Sequence, residues 1–264
     1  MRSVPPSKLL VVLPTLGHRL KFLESTLLSC AALAERVPTT IALVAPPAAR
    51  EARALGERYG FELVDDPGAG MAEAVNAGLA TRSSESFYTW VGDDDELIAE
   101  GVDALVRALE KDPSATVAYG HCDYIDDVGR VIGRSRAGML AQFLLPWGPN
   151  LIPHPGTVIR LDALEQIGGF DPVLSYALDL DVFLKVKKLG RFIVLPRVSA
   201  RFRWHVDSAT VADRSASSRE AMMVKNRQLP VWLRSISWLW NYPVAWASHV
   251  AASIVAWRAR NLTA

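Results

Sequence analysis

Three carboxylates in succession, Asp93-Asp94-Asp95, followed at once by Glu96, are the residues of this chain best placed to do chemistry. Like charges packed that closely repel, and each resists ionisation. A hard divalent cation relieves the repulsion, and Mg²⁺ is commonly held by one or two carboxylates together with substrate phosphates. The competing reading is a solvated acidic turn whose charge favours the N-terminus of the next helix. Upstream, Ser86 to Val91 is apolar and aromatic, which suits a buried strand. Downstream, Ile98 to Leu109 places apolar side chains at helical spacing. The triplet therefore falls at the carboxyl end of a strand, where open α/β sheets bind ligands.

The elements that must position this turn alternate. Lys8 to Leu13 reads as a buried parallel strand ended by Pro14, and Leu20 to Val37 as a helix. Thr39 to Ala45 is a strand, Ala48 to Tyr59 a helix stopped by Gly60, Phe61 to Val64 a strand and Gly70 to Leu79 a short helix. This alternation predicts a mainly parallel sheet with helices on both faces. Past the triplet, Thr116 to Tyr119 reads as a strand, and Cys122 to Ile125 with Val131 to Gly133 as a hairpin. A short helix over Ala137 to Leu145 leads into a Pro/Gly-rich loop, Pro146 to Pro155. Then come a strand to Arg160, a helix over Leu161 to Ile167 and another over Asp179 to Leu189. Arg191 to Leu195 and Val198 to Trp204 read as two last strands.

Composition narrows the class. Half of the 264 residues are hydrophobic and 22% are charged, as in a globular chain. A net charge of +1 leaves no electrostatic footprint for nucleic acid. Cys30 and Cys122 are far apart with no metal-ligand spacing, so they read as core residues of a reducing compartment. The apolar run Leu9 to Leu13 is too short for the core of a signal peptide. These features set an expectation of a cytoplasmic protein, with a peripheral position on the inner face of the cell membrane as its variant.

From about Lys8 to about Thr210 the chain resembles glycosyltransferase family 2, the inverting nucleotide-sugar enzymes of the GT-A fold. The resemblance is carried in order by Pro14-Thr15, Gly70 to Gly78, Gly92-Asp93-Asp94-Asp95, Tyr119-Gly120 and His154-Pro155-Gly156-Thr157. It continues through Gly168-Gly169-Phe170-Asp171, Ala177 to Lys185, and Arg203-Trp204-His205-Val206-Asp207-Ser208. It implies that Asp93 and Asp95 are the Asp-x-Asp pair holding Mg²⁺ or Mn²⁺, with His205 completing the metal shell. It assigns Pro14, Thr15, Glu73, Asn76, Asp93 and Asp94 to the nucleotide-diphosphate sugar donor. Asp179 matches the base that takes the proton from the acceptor hydroxyl, of a saccharide or a lipid-linked saccharide. The residue before that base is often Glu in the family and here is Leu178. The Asp that usually ends the second strand is replaced by Ala45, so either base reading moves to Asp65, Asp66 or Thr15 or the nucleotide preference is an unusual one.

Two other readings stay open. A sugar nucleotidyltransferase would need a Gly-rich, Lys/Arg-bearing loop after the first strand, and none is evident there. A catalytically silent scaffold finds support in Ala45 and Leu178. The expected division is a GT-A catalytic domain over residues 1–212 and a Trp-rich helical tail over 213–264. Five of the eight tryptophans lie between Gln228 and Trp257. With Arg258 and Arg260 beside them, residues 228–258 suit a helix in the membrane interface or a homo-oligomer contact.

Overall fold

A computed structural model describes residues 8–204, 214–244 and 246. The strand Leu9–Pro14 (β1) is buried at every position because helices cover both of its faces. Leu9, Val11 and Leu13 alternate with Leu10 and Val12 between two separate apolar cores. One core is closed by the helices Leu20–Ala34 (α1) and Ala99–Lys111 (α4), through Leu23, Leu27, Val102 and Leu105. The other is closed by Met71–Leu79 (α3), Leu161–Gln166 (α6) and Leu178–Val186 (α7), through Val75, Leu164 and Phe183.

β1 pairs in parallel with Thr39–Ala45 (β2) on one side and Phe87–Trp90 (β4) on the other. Glu62–Asp65 (β3) adds to β2 in parallel after the helix Arg50–Arg58 (α2). Beyond β4 the sheet turns antiparallel through Val158–Arg160 (β8), which also pairs with Ala115–Ile125 (β6). Arg191–Arg203 (β9) runs parallel to β6, and the two-residue strand Glu96–Leu97 (β5) lies antiparallel on β9. Val131–Ser135 (β7) forms the expected hairpin with β6. The order is β3-β2-β1-β4-β8-β6-β9-β5, and the mainly parallel half matches the α/β expectation.

Two departures bear on the site. The sequence split β6 at Gly120 and β9 at Pro196-Arg197, yet each runs through as one strand. The pairing moves from Tyr119–Val194 to His121–Val198, so the turn-forming residues are taken up as bulges. Glu96 and Leu97, residues of the acidic stretch for which the sequence predicts no element, form β5. Its pairing with Arg201 and Ala200 fastens the acidic turn to β9.

The short helix Met139–Leu144 (α5) and the loop after it lie over the second core. The helix Arg214–Gln228 (α8) packs on α7, with Val224 fully buried in that core. Glu220 of α8 accepts backbone N–H bonds from Ser175, Tyr176 and Ala177 at 2.8–2.9 Å, immediately ahead of α7. The short helix Val231–Arg234 (α9) and helical residues 238–244 follow. No helix among the described residues is long and apolar enough to cross a membrane.

Candidate active site

The acidic turn leaves β4 at Trp90 and is closed by the Asp95 amide donating to the Gly92 carbonyl at 3.2 Å. A methyl group on the Gly92 backbone would come within 2.9 Å of Asp94 Oδ1, so a larger residue there would shift that carboxylate. The three carboxylates are not equivalent. Asp93 is buried, its Oδ2 accepting from the Thr15 hydroxyl and its Oδ1 paired with Arg19, both at 2.6 Å. The other arm of the Arg19 guanidinium reaches Asp94 Oδ2, also at 2.6 Å. One guanidinium thus bridges two carboxylates with a charge-assisted hydrogen bond to each, offsetting one of their two charges. Burial raises the Asp93 carboxyl above the usual range, against the pull of Thr15 and Arg19.

Asp95 faces the other way. Its Oδ1 accepts from the Arg203 backbone N–H of β9 at 2.9 Å, and its own carbonyl oxygen accepts from the Thr26 hydroxyl of α1 at 2.7 Å. Burial, with the Asp94 charge beside it, holds the Asp95 carboxyl well above the ordinary range. The Arg203 side chain bonds the Asp94 carbonyl, the Asp126 carbonyl and Glu96, and lies over the Phe22 ring. Asp95 and Arg203 thus tie the turn to the sheet, while Asp93 and Asp94 point their oxygens at one shared cation.

That sharing is the test of whether a metal suits the turn. Asp93 Oδ1 and Asp94 Oδ2 each pair with a different nitrogen of the one Arg19 guanidinium, and both are hard oxygen donors of the kind a divalent cation takes. No cluster of three or more His, Cys, Asp or Glu side chains among the described residues is arranged to hold a metal. His205, the expected third ligand, lies outside the described residues.

Asp179 sits in different surroundings. It opens α7, with its side chain 21% exposed, and lines a cavity of about 450 Å³ between the Pro149–Pro155 loop, the β6/β9 edge and α8. Its Oδ1 accepts from the Leu180 N–H at 2.8 Å, and Oδ2 accepts from Asn150 Nδ2 at 3.2 Å. Burial raises its carboxyl to about 6, partly opposed by backbone N–H bonds and assisted by the Glu220 charge. A carboxylate near 6 is tuned for taking a proton at neutral pH.

A neutral histidine joins the two regions. The indole N–H of Trp90 donates to His154 Nδ1 at 2.9 Å, with ring centroids 4.0 Å apart. Indole nitrogen only donates, so Nδ1 carries the lone pair and the imidazole proton is on Nε2. Burial holds the His154 pKa well below its ordinary value. The same Nδ1 lies 3.8 Å from Asp179 Oδ2. The Trp90–His154 contact therefore brings the strand that delivers the acidic turn close to Asp179, without a hydrogen bond between His154 and that carboxylate.

Of the remaining candidates, Pro14 ends β1 and Thr15 braces Asp93. Glu73 is half-buried on α3. The Asn76 amide is engaged at both ends by the Phe170 backbone, at 2.8 and 3.0 Å, and so fastens the Gly168–Phe170 turn to α3. Asp65 lies beside Ala45 and pairs with Arg53, and Asp66 accepts from the Gly68 N–H. Asp181 is buried against Lys185 one turn along α7. Sequence reasoning missed Arg19, Asn150 and the role of His154. Arg19 had a signal, being the one arginine in the loop after β1.

No family model matches the chain. A chondroitin synthase of Pasteurella multocida is 22% identical over 182 residues, which are 66% of this chain but 18% of that protein. Among solved structures, S. aureus TarS 1-349 in complex with UDP-GlcNAc superposes with a TM-score of 0.63 at 16% identity, over 84% of this chain and 66% of that one. The mannosyltransferase PcManGT from Pyrobaculum calidifontis, in complex with GDP-Man and Mn²⁺, gives 0.62 at 16% identity, over 96% and 78%. The chain has the GT-A fold. In that GT-A frame, the acidic turn closes β4 and Asp179 opens α7, at the two ends of the Trp90–His154 contact. This chain spans less than a fifth of the synthase and about two thirds of the TarS fragment.

Proposed function

We propose that this chain transfers a sugar from a nucleotide-diphosphate donor to an acceptor hydroxyl, with inversion at the anomeric carbon. The observation that carries the reading is Asp179: a carboxylate tuned to about 6, on the wall of a cavity, brought close to the strand bearing the acidic turn by the Trp90–His154 contact. Asp179 accepts the proton of the acceptor hydroxyl as the oxygen attacks the anomeric carbon. The diphosphate departs from the opposite face with the bonding electron pair.

On the donor side, Thr15 and Arg19 fix Asp93, and the Arg19 guanidinium offers a positive group for the diphosphate oxygens. Asp93 and Asp94 are the residues that would hold Mg²⁺ or Mn²⁺, with His205 the sequence's candidate for a further ligand. A divalent ion bound there supplies Lewis-acid neutralisation of the departing diphosphate. Pro14 and Glu73 belong to the same donor side, while Asn76 and Asp95 act by holding the backbone around it. The acceptor is a saccharide, free or lipid-linked. Trp232, Trp238, Tyr242 and Trp246 are exposed beyond α8, which suits a helix resting on a membrane surface beside a lipid-linked acceptor. Flotation with anionic vesicles tests this, and a chain that stays in the dense fraction counts against it.

Calorimetry with UDP, GDP and dTDP, each with Mn²⁺ and with EDTA, tests the reading as a whole. Binding of one nucleotide in preference to the others supports it. Absence of binding by all three in both conditions overturns it in favour of a silent scaffold.

A further inference from the structure

Lys225 is buried to 5% exposure on α8 and is one of the residues lining the same cavity as Asp179. It donates to the Gly148 carbonyl oxygen, and no carboxylate among the described residues pairs with it. A buried ammonium without a counter-charge is costly, and burial lowers the Lys225 pKa to about 8. The rest of the cavity is apolar or uncharged. Tyr124, Phe202 and Trp204 pack edge to face with centroids 6.1–6.3 Å apart. Ser217, Ala221 and Lys225 follow at four-residue spacing on one face of α8. Asp179 is the one carboxylate on the lining, and its oxygens are held by Asn150 and the Leu180 N–H.

We propose that this cavity is a binding site for a saccharide bearing an anionic group, carboxylate or phosphate, which Lys225 pairs with while a hydroxyl of the same molecule meets Asp179. The inference rests on Asp179 being the acceptor base and names the acceptor's chemical class. One feature favours this ligand over a neutral one, and two more favour a sugar and set its orientation. The cavity already holds the cation, and an anion supplies the missing counter-charge in a site partly shielded from water, where a charge-assisted hydrogen bond is strong. The aromatic edges offer apolar surface to the C–H faces of a sugar ring. The carboxylate of Asp179 would repel an anion placed next to it, so the anionic group is directed to the Lys225 end and the hydroxyl to the other.

The test compares methyl glucuronide and glucose 6-phosphate with methyl glucoside, by saturation-transfer NMR titration of the full chain. We expect both anionic sugars to bind about tenfold more tightly than the glucoside, as one charge-assisted hydrogen bond allows. Lys225→Met should abolish that preference and Lys225→Arg should keep it. As a check needing no variant, acylation of Lys225 in the wild-type chain, read by peptide mass spectrometry, should be slowed by the two anionic sugars and not by the glucoside. Equal binding of charged and neutral sugars by the wild type, or an undiminished preference in Lys225→Met, overturns the proposal. UDP and GDP binding measured on the same samples reports the donor side separately, so retained nucleotide binding with no anion preference rejects this inference and leaves the transferase reading standing.

Discussion

The acidic turn and Asp179 hold the same functional group under opposite conditions. At the turn, charge is crowded and answered by the guanidinium of Arg19, the hydroxyl of Thr15 and the backbone of Arg203. At Asp179 no guanidinium or ammonium among the described residues bonds the carboxylate; an amide and a neutral imidazole are nearby, and the Glu220 charge opposes its ionisation. Carboxylates of the first kind bind and hold; one of the second kind is available to take a proton. The contrast assigns roles by environment rather than by residue type, and substitutions should respect it.

The largest expected effect is on turnover in Asp179→Asn. Removing a general base costs about 10²- to 10⁴-fold in rate. Nucleotide affinity, measured by calorimetry, should stay within about threefold, because Asp179 lies on the acceptor side of the comparison. Retained turnover would remove Asp179 from the role of base. The same variant should be more stable than the wild type. Unfolded, the carboxyl ionises near 3.8; folded, near 6. Between those values the folded chain binds the extra proton, so stability falls as pH rises through this window and stays reduced above it. The difference amounts to about 3 kcal/mol at neutral pH, and Asn removes it. A denaturant midpoint at pH 7.5 that is lower in the variant would contradict this account.

At the turn, Arg19→Met and Asp95→Asn should behave differently. Arg19→Met leaves the carboxylates unneutralised and should weaken nucleotide binding about tenfold in EDTA, the worth of a charge-assisted hydrogen bond. The loss should shrink when Mn²⁺ is added, since a divalent ion supplies the same charge to Asp93 and Asp94. A loss that is identical with and without Mn²⁺ would separate Arg19 from the cation site. Asp95→Asn retains a side-chain oxygen for the Arg203 N–H and removes a buried carboxyl held well above its ordinary range, so it should keep the fold with no loss of stability at neutral pH. Its nucleotide affinity should change less than that of Asp93→Asn. The reverse order would return Asp95 to the place beside Asp93 that the sequence resemblance assigns it.

Why the sequence assigned that pair, and missed Arg19, has a physical explanation. The sheet was legible wherever burial on both faces produced continuous apolar runs, as in Leu9 to Leu13 and Thr39 to Ala45. The carboxylate triplet was legible because three like charges after a buried strand are chemically unusual. Which way each carboxylate points depends on long-range partners: Arg203 is 108 residues from Asp95 and Thr15 is 78 from Asp93. Local periodicity carries no record of such pairings. The same limit hid β5, whose two residues become a strand only by lying on β9. The resemblance placed Asn76 on the donor side, and its partner in the structure, the Phe170 backbone, is 94 residues away. Asp179 was marked by motif alone; its surroundings are built by a Pro/Gly-rich loop and by α8, neither of which has a periodic signature facing it.

The smallest expected effect probes the link between the two regions. In the wild type, Trp90 occupies His154 Nδ1, so that nitrogen cannot donate to Asp179 Oδ2 3.8 Å away. Trp90→Phe keeps an aromatic ring but removes the N–H. Nδ1 is then free to take the imidazole proton and to donate toward Asp179, and a hydrogen bond to the charged form favours ionisation. The acid limb of the pH–rate profile, expected near 6 in the wild type because a protonated Asp179 accepts nothing, should move to lower pH. The displacement should be less than about one pH unit, as one imperfectly aligned hydrogen bond to a carboxylate implies. A merely structural Trp90 would lower the rate equally at every pH and leave the limb in place. His154→Phe supplies the control: with no imidazole to donate, the limb should stay at or above its wild-type position. Together the two variants separate a tuning role for the Trp90–His154 contact from simple packing.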